Sequence, residues 1–562
     1  MTGSGSGKGI LIQANNVTIA NVNASAYDYG IYLSSSNNST IANCYTLNND
    51  ETGIYLNYTT NSTIANNTVS NNNQAQKWNS GGIVLYNSNY NKILENRITN
   101  NKFIGINVID SHNNSFTANQ ILYNYGPTTV GGVAPGGIVF RISSYPSNYT
   151  NYNLIKDNNI TNNTYGIYFW SSSNNRVLNN TLSENQESAV HFNSYSDSNA
   201  IENNTISKNK LGISYGGCYS AGCSNGQSTK ILNNTILNNL QGINLGTAKF
   251  ATVSNNTIAE NQELGILVDS GQHTISNNTI SGNSIGLQIS GTGNTIKDNT
   301  FIGGGVFVEA ERNYYLYNNE FSNNFVNGKP LVYLKDARDV EITEAGQVFV
   351  SNSRNITIKD LNLIGTMTGV VLWHTSYSRV ENCTISAKKY GIILEAYNLG
   401  YTNNTTIANS TISNSEYGIY IQNSDYNEIF NSTIRDNTRG VYFTSSNYNN
   451  ITESRILWNQ FGVCFDKATA NNTVSGSEIS NNSDSGVYLI TDQYHVCINN
   501  TITNNLISNN AKGIYPDGYS SYTNISGNVI VGNSYGLFKL DGQMEHNSAG
   551  RNKHPWWQLA WR

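Results

Sequence analysis

When the chain is aligned on a recurring glycine, residues suited to acid–base chemistry fall into register. Trp373 and Glu395 each stand four positions after such a glycine, Gly369 and Gly391; His374 adjoins the first, and Lys388 and Lys389 precede the second. A carboxylate beside an imidazole and ammonium groups is the equipment of a carbohydrate-active enzyme. Elimination or epimerisation needs a base next to a charge-neutralising cation, and hydrolysis needs two carboxylates bracketing the bond. His374, Glu395 and Lys388 are therefore the catalytic candidates. Asp466 occupies the same column, with Asp269 and Glu309 farther up the chain, and Asp110, His112 and Arg141 form a second cluster. Dense carboxylate pairs are missing from both, so no residue is assigned a catalytic role outright.

Aromatic residues give a more regular pattern. Tyr32, Tyr55, Tyr420, Tyr442 and Tyr488 recur at one position of the repeat. With Trp373 they are the candidate binding residues, because tyrosine offers area to a sugar ring or a protein while keeping a hydroxyl for hydrogen bonding. β-Propensity on a solvated sheet also favours tyrosine.

The positioning elements follow from the repeat. Gly30-Ile31-Tyr32-Leu33 returns as Gly53-Ile54-Tyr55-Leu56, Gly82-Ile83-Val84-Leu85 and Gly105-Ile106-Asn107-Val108, and the series resumes from Gly369 to Gly536 with a dominant period of 22 to 24 residues. Between these runs lie segments such as Asn66-Asn67-Thr68-Val69 and Asn277-Asn278-Thr279-Ile280. Apolar residues alternating at period two indicate strands. Strands this short bury a face only if each repeat stacks on the one before, which pairs them in parallel. Three short strands per coil and about two dozen coils make an all-β parallel β-helix. Asparagine suits its turns, tolerating the left-handed conformation and bonding to its own kind from coil to coil; the glycine is expected to supply positive φ.

Composition agrees and excludes other classes. The 562 residues include 31 basic and 36 acidic side chains, a net charge of −5, with 37 tyrosines. That balance, with no basic cluster, argues against a nucleic-acid partner, and no apolar run approaches the ~20 residues of a membrane span. No cofactor or metal is indicated, since zinc-type Cys/His spacing is absent. Of six cysteines, only Cys218 and Cys223 have a spacing that suggests a disulfide. Residues 1–9 read as a leader, 10–290 as a first β-helix array, 291–345 as an irregular junction, 346–543 as a second array and 544–562 as a tryptophan-rich tail. In that tail Trp556, Trp557 and Trp561 are candidates for capping a coil end or for head-to-tail assembly. Asn16, Asn38, Asn148, Asn203 and Asn524 each begin an Asn-X-Ser/Thr triplet and are glycan acceptors if the chain is exported.

The cadence Gly-Ile-Tyr-Leu followed by Asn-Asn-Thr-Ile resembles the NosD-like right-handed parallel β-helix repeat proteins of the pectate-lyase-like superfamily through nearly the whole chain, especially their archaeal cell-surface forms. The segment Gly328-Lys329-Pro330-Leu331, with Ala345-Gly346-Gln347-Val348 and Asn355-Ile356-Thr357-Ile358, is similar to an element of those surface proteins. The resemblance implies an extracellular, cell-surface or periplasmic setting, with carbohydrate-related enzymes among distant relatives. One branch matures a copper site, but Met1, Met367 and Met544 are the only methionines here and soft-metal clusters are missing. The resulting expectation is an extracellular structural or adhesive protein, glycosylated and self-associating, with other surface proteins or polysaccharide as partners. The second expectation is a polysaccharide lyase, hydrolase or epimerase, or a sugar-binding protein, on the same fold.

Overall fold

The computed structural model describes residues 1–126, 133–143, 150–216, 227–310, 312–397, 401–490, 496–516, 522–537 and 548–549. Cys218, Cys223, Asn148, Trp556, Trp557 and Trp561 lie outside them. The chain forms about 21 turns of parallel β-solenoid, divided into two compact units, Met1–Asn299 and Thr300–Arg562.

A typical coil of the first unit contains one longer strand, Tyr29–Ser34, and two short ones, Thr40–Ala42 and Tyr45–Leu47. Each pairs in parallel with its counterpart one repeat later, so that Ile31 meets Ile54 and Leu33 meets Leu56. Ile31, Leu33 and Ile41 are fully buried. Alternation thus sends the aliphatic side chains into one continuous core, at about 1.5–3 kcal/mol for each fully buried side chain, and turns Tyr32 outward. The sheet of longer strands runs without a break from Lys8–Ile12 to Ile285–Ile289.

Asparagine does two separate jobs at the corners. The first of each pair, such as Asn66, Asn203 or Asn277, is exposed and takes positive φ. The second is buried and forms a ladder along the axis. Asn96 donates from its backbone N–H and from Nδ2 to Asn119 Oδ1, both at 3.0 Å, and from Nδ2 to the Ile64 carbonyl at 2.8 Å. Its own Oδ1 accepts the same pair of bonds from Asn67. Corner backbone groups that no strand can pair are satisfied in this way. Cys44 begins this ladder, its N–H donating to Asn67 Oδ1.

The repeat glycines have a different role from the one expected. Gly30, Gly53, Gly105, Gly418 and Gly486 are not in the left-handed region. They are glycines because the next coil lies too close for a side chain. A Cβ on Gly53 would sit 2.7 Å from Thr46 Oγ1 and 2.8 Å from both Asn72 Nδ2 and the Gly82 carbonyl oxygen. Local sequence suggests turn conformation; the actual constraint comes from Thr46, seven residues back, together with residues of the next coil. Gly53→Ala is therefore expected to destabilise the neighbouring coils by about 1–3 kcal/mol, as overpacking does, read as faster amide exchange at Asn72 and Gly82. Unchanged exchange there would contradict the packing argument.

The second unit repeats the plan with local changes. Near its start is a hairpin in which Phe325–Val326 pairs antiparallel with the start of Lys329–Lys335. Asn327 and Gly328 both take positive φ in its turn, the backbone that twisted two-residue hairpins require. The strands Asn362–Trp373 and Thr384–Glu395 then run through a corner without interruption. Farther on, serine replaces asparagine in one ladder: Ser410, Ser432 and Ser454 each donate a backbone N–H to the serine hydroxyl of the next coil, at 3.1–3.2 Å. Cys383 begins this ladder. Cys44, Cys383, Cys464 and Cys497 are buried free thiols.

Candidate functional site

Register places Trp373 directly beside Glu395, and the His374 N–H donates to the Glu395 carbonyl at 3.0 Å. The two indole and imidazole rings stack with centroids 3.8 Å apart. His374 Nε2 accepts the Tyr397 N–H at 2.9 Å, and burial lowers the imidazole pKa. Trp373, His374 and Glu395 are thus adjacent, but the site is covered. Glu395 is 1% exposed and Trp373 is buried. Residues 303–310 and 312–318, which include the helical turn Tyr314–Tyr317, contribute side chains that contact them. The Asn313 side-chain amide donates to Glu395 Oε2 at 2.5 Å, and the Tyr317 ring packs 5.9 Å from Trp373. The first of these stretches is anchored by Gln347, whose Oε1 accepts the Val306 N–H and whose Nε2 donates to the Val306 carbonyl. Glu309 fastens it again, accepting from the Tyr390 hydroxyl and from Lys389 Nζ, each at 2.7 Å. Lys388 is exposed, seven residues from Glu395, and lines a different groove.

In the first unit, strand register sets Ile109 opposite Arg141, and Asp110 donates its N–H to the Arg141 carbonyl. Arg141 is fully buried. Its Nε donates to Asn107 Oδ1 at 3.1 Å, while Nη2 has no hydrogen-bond partner. Burial lowers this guanidinium's pKa to about 10. The Trp78 ring covers it at 4.7 Å. His112 accepts the Asn151 N–H at Nδ1, and burial lowers its pKa too. Trp78 was not among the residues singled out from sequence. Its signal was the spacing of 29 between Gly53 and Gly82, which inserts a loop where most coils have a tight corner.

The tyrosines stack along the axis. Tyr32 and Tyr55 are parallel at 4.9 Å, with Tyr29 edge-on to both and Lys8 Nζ 3.9 Å above Tyr32. In the second unit Tyr420 stacks on Tyr442 at 5.6 Å and Tyr488 on Tyr515 at 4.9 Å, and the Arg439 guanidinium lies over Tyr417 and Tyr442. Tyr420 is buried; Tyr32, Tyr55, Tyr442 and Tyr488 are partly exposed. Nearby carboxylates are engaged: the Tyr29 hydroxyl donates to Glu51 at 2.5 Å and the Tyr442 hydroxyl to Asp466. Desolvation, reinforced by these carboxylates, raises both phenol pKa values. Tyr29, Tyr390 and Tyr417 were missed from sequence because they precede the repeat glycine, a position that strand alternation leaves unmarked.

A model described as "Right handed beta helix region" matches residues 8–148 and 395–553. The chain belongs to the right-handed β-helix family. A second model, "Periplasmic copper-binding protein (NosD)", matches residues 137–239 and 188–331 of this β-helix and supports its NosD-like type. Among solved structures, it is similar to the surface adhesin PfbA of Streptococcus pneumoniae at 14% identity, over 57% of this chain and 83% of that one, with a TM-score of 0.33. It is also similar to the periplasmic alginate epimerase AlgG at 12% identity, over 65% and 78%, TM-score 0.31. For an alginate lyase from Paenibacillus sp. the identity is 15%, over 46% and 99%, TM-score 0.27. No curated protein matches the chain.

Among the described residues, the donors do not make a copper site. Among the described residues no three His, Cys, Asp or Glu side chains gather as a metal site, and the free thiols are buried at separate positions of the coils. A soft ion would need thiolate or thioether groups converging on one point. No helix among the described residues is long and apolar enough to cross a membrane.

Proposed function

We propose that this β-helix is a structural or adhesive protein of the cell surface, which holds carbohydrate on its outer faces and does not cleave it. The observation that carries the reading is the burial of Glu395 beneath Asn313 and the Tyr314–Tyr317 turn. A general base must come within about 2.6–3.2 Å of the proton that it removes, and this carboxylate is covered by the protein's own chain. The partly exposed tyrosines, by contrast, present ring area and hydroxyls to solvent, as carbohydrate adhesion requires. The surface setting includes glycans on the outward sequons: Asn16, Asn38, Asn203 and Asn524 are all exposed. Self-association belongs to the same proposal.

The test combines a glycan array with a lyase assay on uronate polymers, using the wild type and Glu395→Gln. Array binding with no unsaturated product from either protein is expected. Turnover by the wild type that disappears in Glu395→Gln would overturn the adhesive reading. The enzymatic alternative draws its support from Arg141, where a buried guanidinium with an unpartnered Nη2 adjoins Asp110. Product formation lost in Arg141→Gln but kept in Glu395→Gln would favour that second reading.

A further inference from the structure

One corner of the second unit departs from the asparagine rule. Asn414, Asp436 and Asn481 occupy equivalent turn positions in three of four successive coils, each with φ near 57°. In the coil between Asp436 and Asn481 the position is filled by Trp458, at φ 54° and 53% exposed. The left-handed backbone is the rule at these corners and does not single the residue out, since Tyr123, Tyr426 and Tyr448 share it. What sets Trp458 apart is a half-exposed indole face beside a polar surface groove.

Trp458 also stands at a groove. Lys388, Glu416, Asp436, Thr438 and Gln460 line it together with the indole, around a volume of about 590 Å³. The groove crosses successive coils, because backbone bonds link Lys388 to Glu416, Glu416 to Arg439 and Thr438 to Phe461. Its floor is rigid: Asn437 belongs to a ladder and donates from Nδ2 to Asn459 Oδ1 at 3.0 Å. The walls are polar and rich in acceptors, with an apolar ring face at one side.

We infer that this groove is a binding site for a neutral glycan chain, with Trp458 stacking on the C–H face of one sugar ring. The inference rests on the adhesive reading and names its ligand class. Carboxylates and amides accept hydrogen bonds from ring hydroxyls, while the indole covers the apolar face. Charge selects against uronates. Of the charged residues lining it, Glu416 and Asp436 would both oppose a ligand carboxylate and only Lys388 would attract one, while Arg435 already pairs with Asp436 at 2.6 Å. The surface runs along the axis, which suits an extended polymer.

The test uses the full chain and its Trp458→Asn and Trp458→Phe variants, titrated with soluble neutral glucans and mannans and, for contrast, with alginate and polygalacturonate. Asparagine is what the equivalent positions Asn414 and Asn481 carry, so Trp458→Asn should fold at least as stably as the wild type, checked by thermal unfolding. Expected is binding of a neutral glycan by the wild type, weakened about tenfold or more in Trp458→Asn, a loss of about 1.4 kcal/mol, and largely restored in Trp458→Phe. Undiminished neutral-glycan binding by Trp458→Asn, or wild-type binding confined to uronate polymers, would overturn the site and leave the adhesive reading standing. A wild type that binds no glycan of either class would overturn both.

Discussion

Asn119→Ala is expected to destabilise the coils on either side of it by about 4 kcal/mol, although the substitution removes no charge and little apolar surface. Asn119 is almost fully buried. Its Oδ1 accepts from the backbone N–H and the Nδ2 of Asn96, both at 3.0 Å, and its Nδ2 donates to the Ile93 carbonyl at 2.8 Å and to Asn158 Oδ1 at 2.9 Å. Alanine leaves the Asn96 N–H and one hydrogen of its Nδ2 without an acceptor, and takes a donor from Ile93. A buried polar group stripped of its partner costs about 1–3 kcal/mol, and three such groups give the expected total. In a solenoid each coil touches only its neighbours, so the loss should stay local. Amide exchange should rise steeply at Asn96 and in the adjacent coils and fade within a few repeats. Exchange at the Asn96 amide as slow as in the wild type would show that the ladder is ornamental.

The coil architecture was legible in the sequence because stacking imposes a strict period on both core and corner. Ile31, Ile54 and Ile83 recur because each must meet the same inward position of its neighbour, and Asn67, Asn96 and Asn119 because each must complete the bond offered by the one before. What sequence could not show was the reason for the glycines: the carbonyl that excludes a Cβ at Gly53 belongs to Gly82, 29 residues away. The candidate site was legible by halves. Register correctly paired Trp373 with Glu395, since strand alternation determines it. The segment that buries them has no periodicity, and the contacts of Asn313 and Glu309 with residues some 80 positions later leave no local trace. Trp458 was passed over because aromatics are frequent at these turns, and only the packing of neighbouring coils shows which of them borders a groove.

His273 should make the first unit sensitive to acid. It occupies a ladder position, its N–H donating to Asn294 Oδ1 at 2.9 Å, and it is almost fully buried. Its Nδ1 accepts the Ala251 N–H at 3.1 Å, and its Nε2 lies 3.0 Å from the Ser270 hydroxyl, which itself donates to the Ala248 carbonyl. Nδ1 must therefore be unprotonated and Nε2 must carry the hydrogen. A second proton on Nδ1 would confront the Ala251 N–H, and burial, outweighing the Ala248 carbonyl, lowers this imidazole's pKa to about 4. The unfolded chain takes up that proton near pH 6.5. Between about pH 6.5 and 4 the unfolded state holds more protons than the native one, so stability is lost as pH falls through this window, at about 1.4 kcal/mol per unit and roughly 3 kcal/mol in all. His191, also lowered to about 4 by burial, acts in the same direction. His273→Asn restores the ladder amide and removes the proton site. Its guanidinium unfolding midpoint should fall about half as far as that of the wild type between roughly pH 7 and pH 4.5. Equal losses in the two proteins would mean that the imidazole is already solvated in the native coil, and that the ladder tolerates a charge at its core.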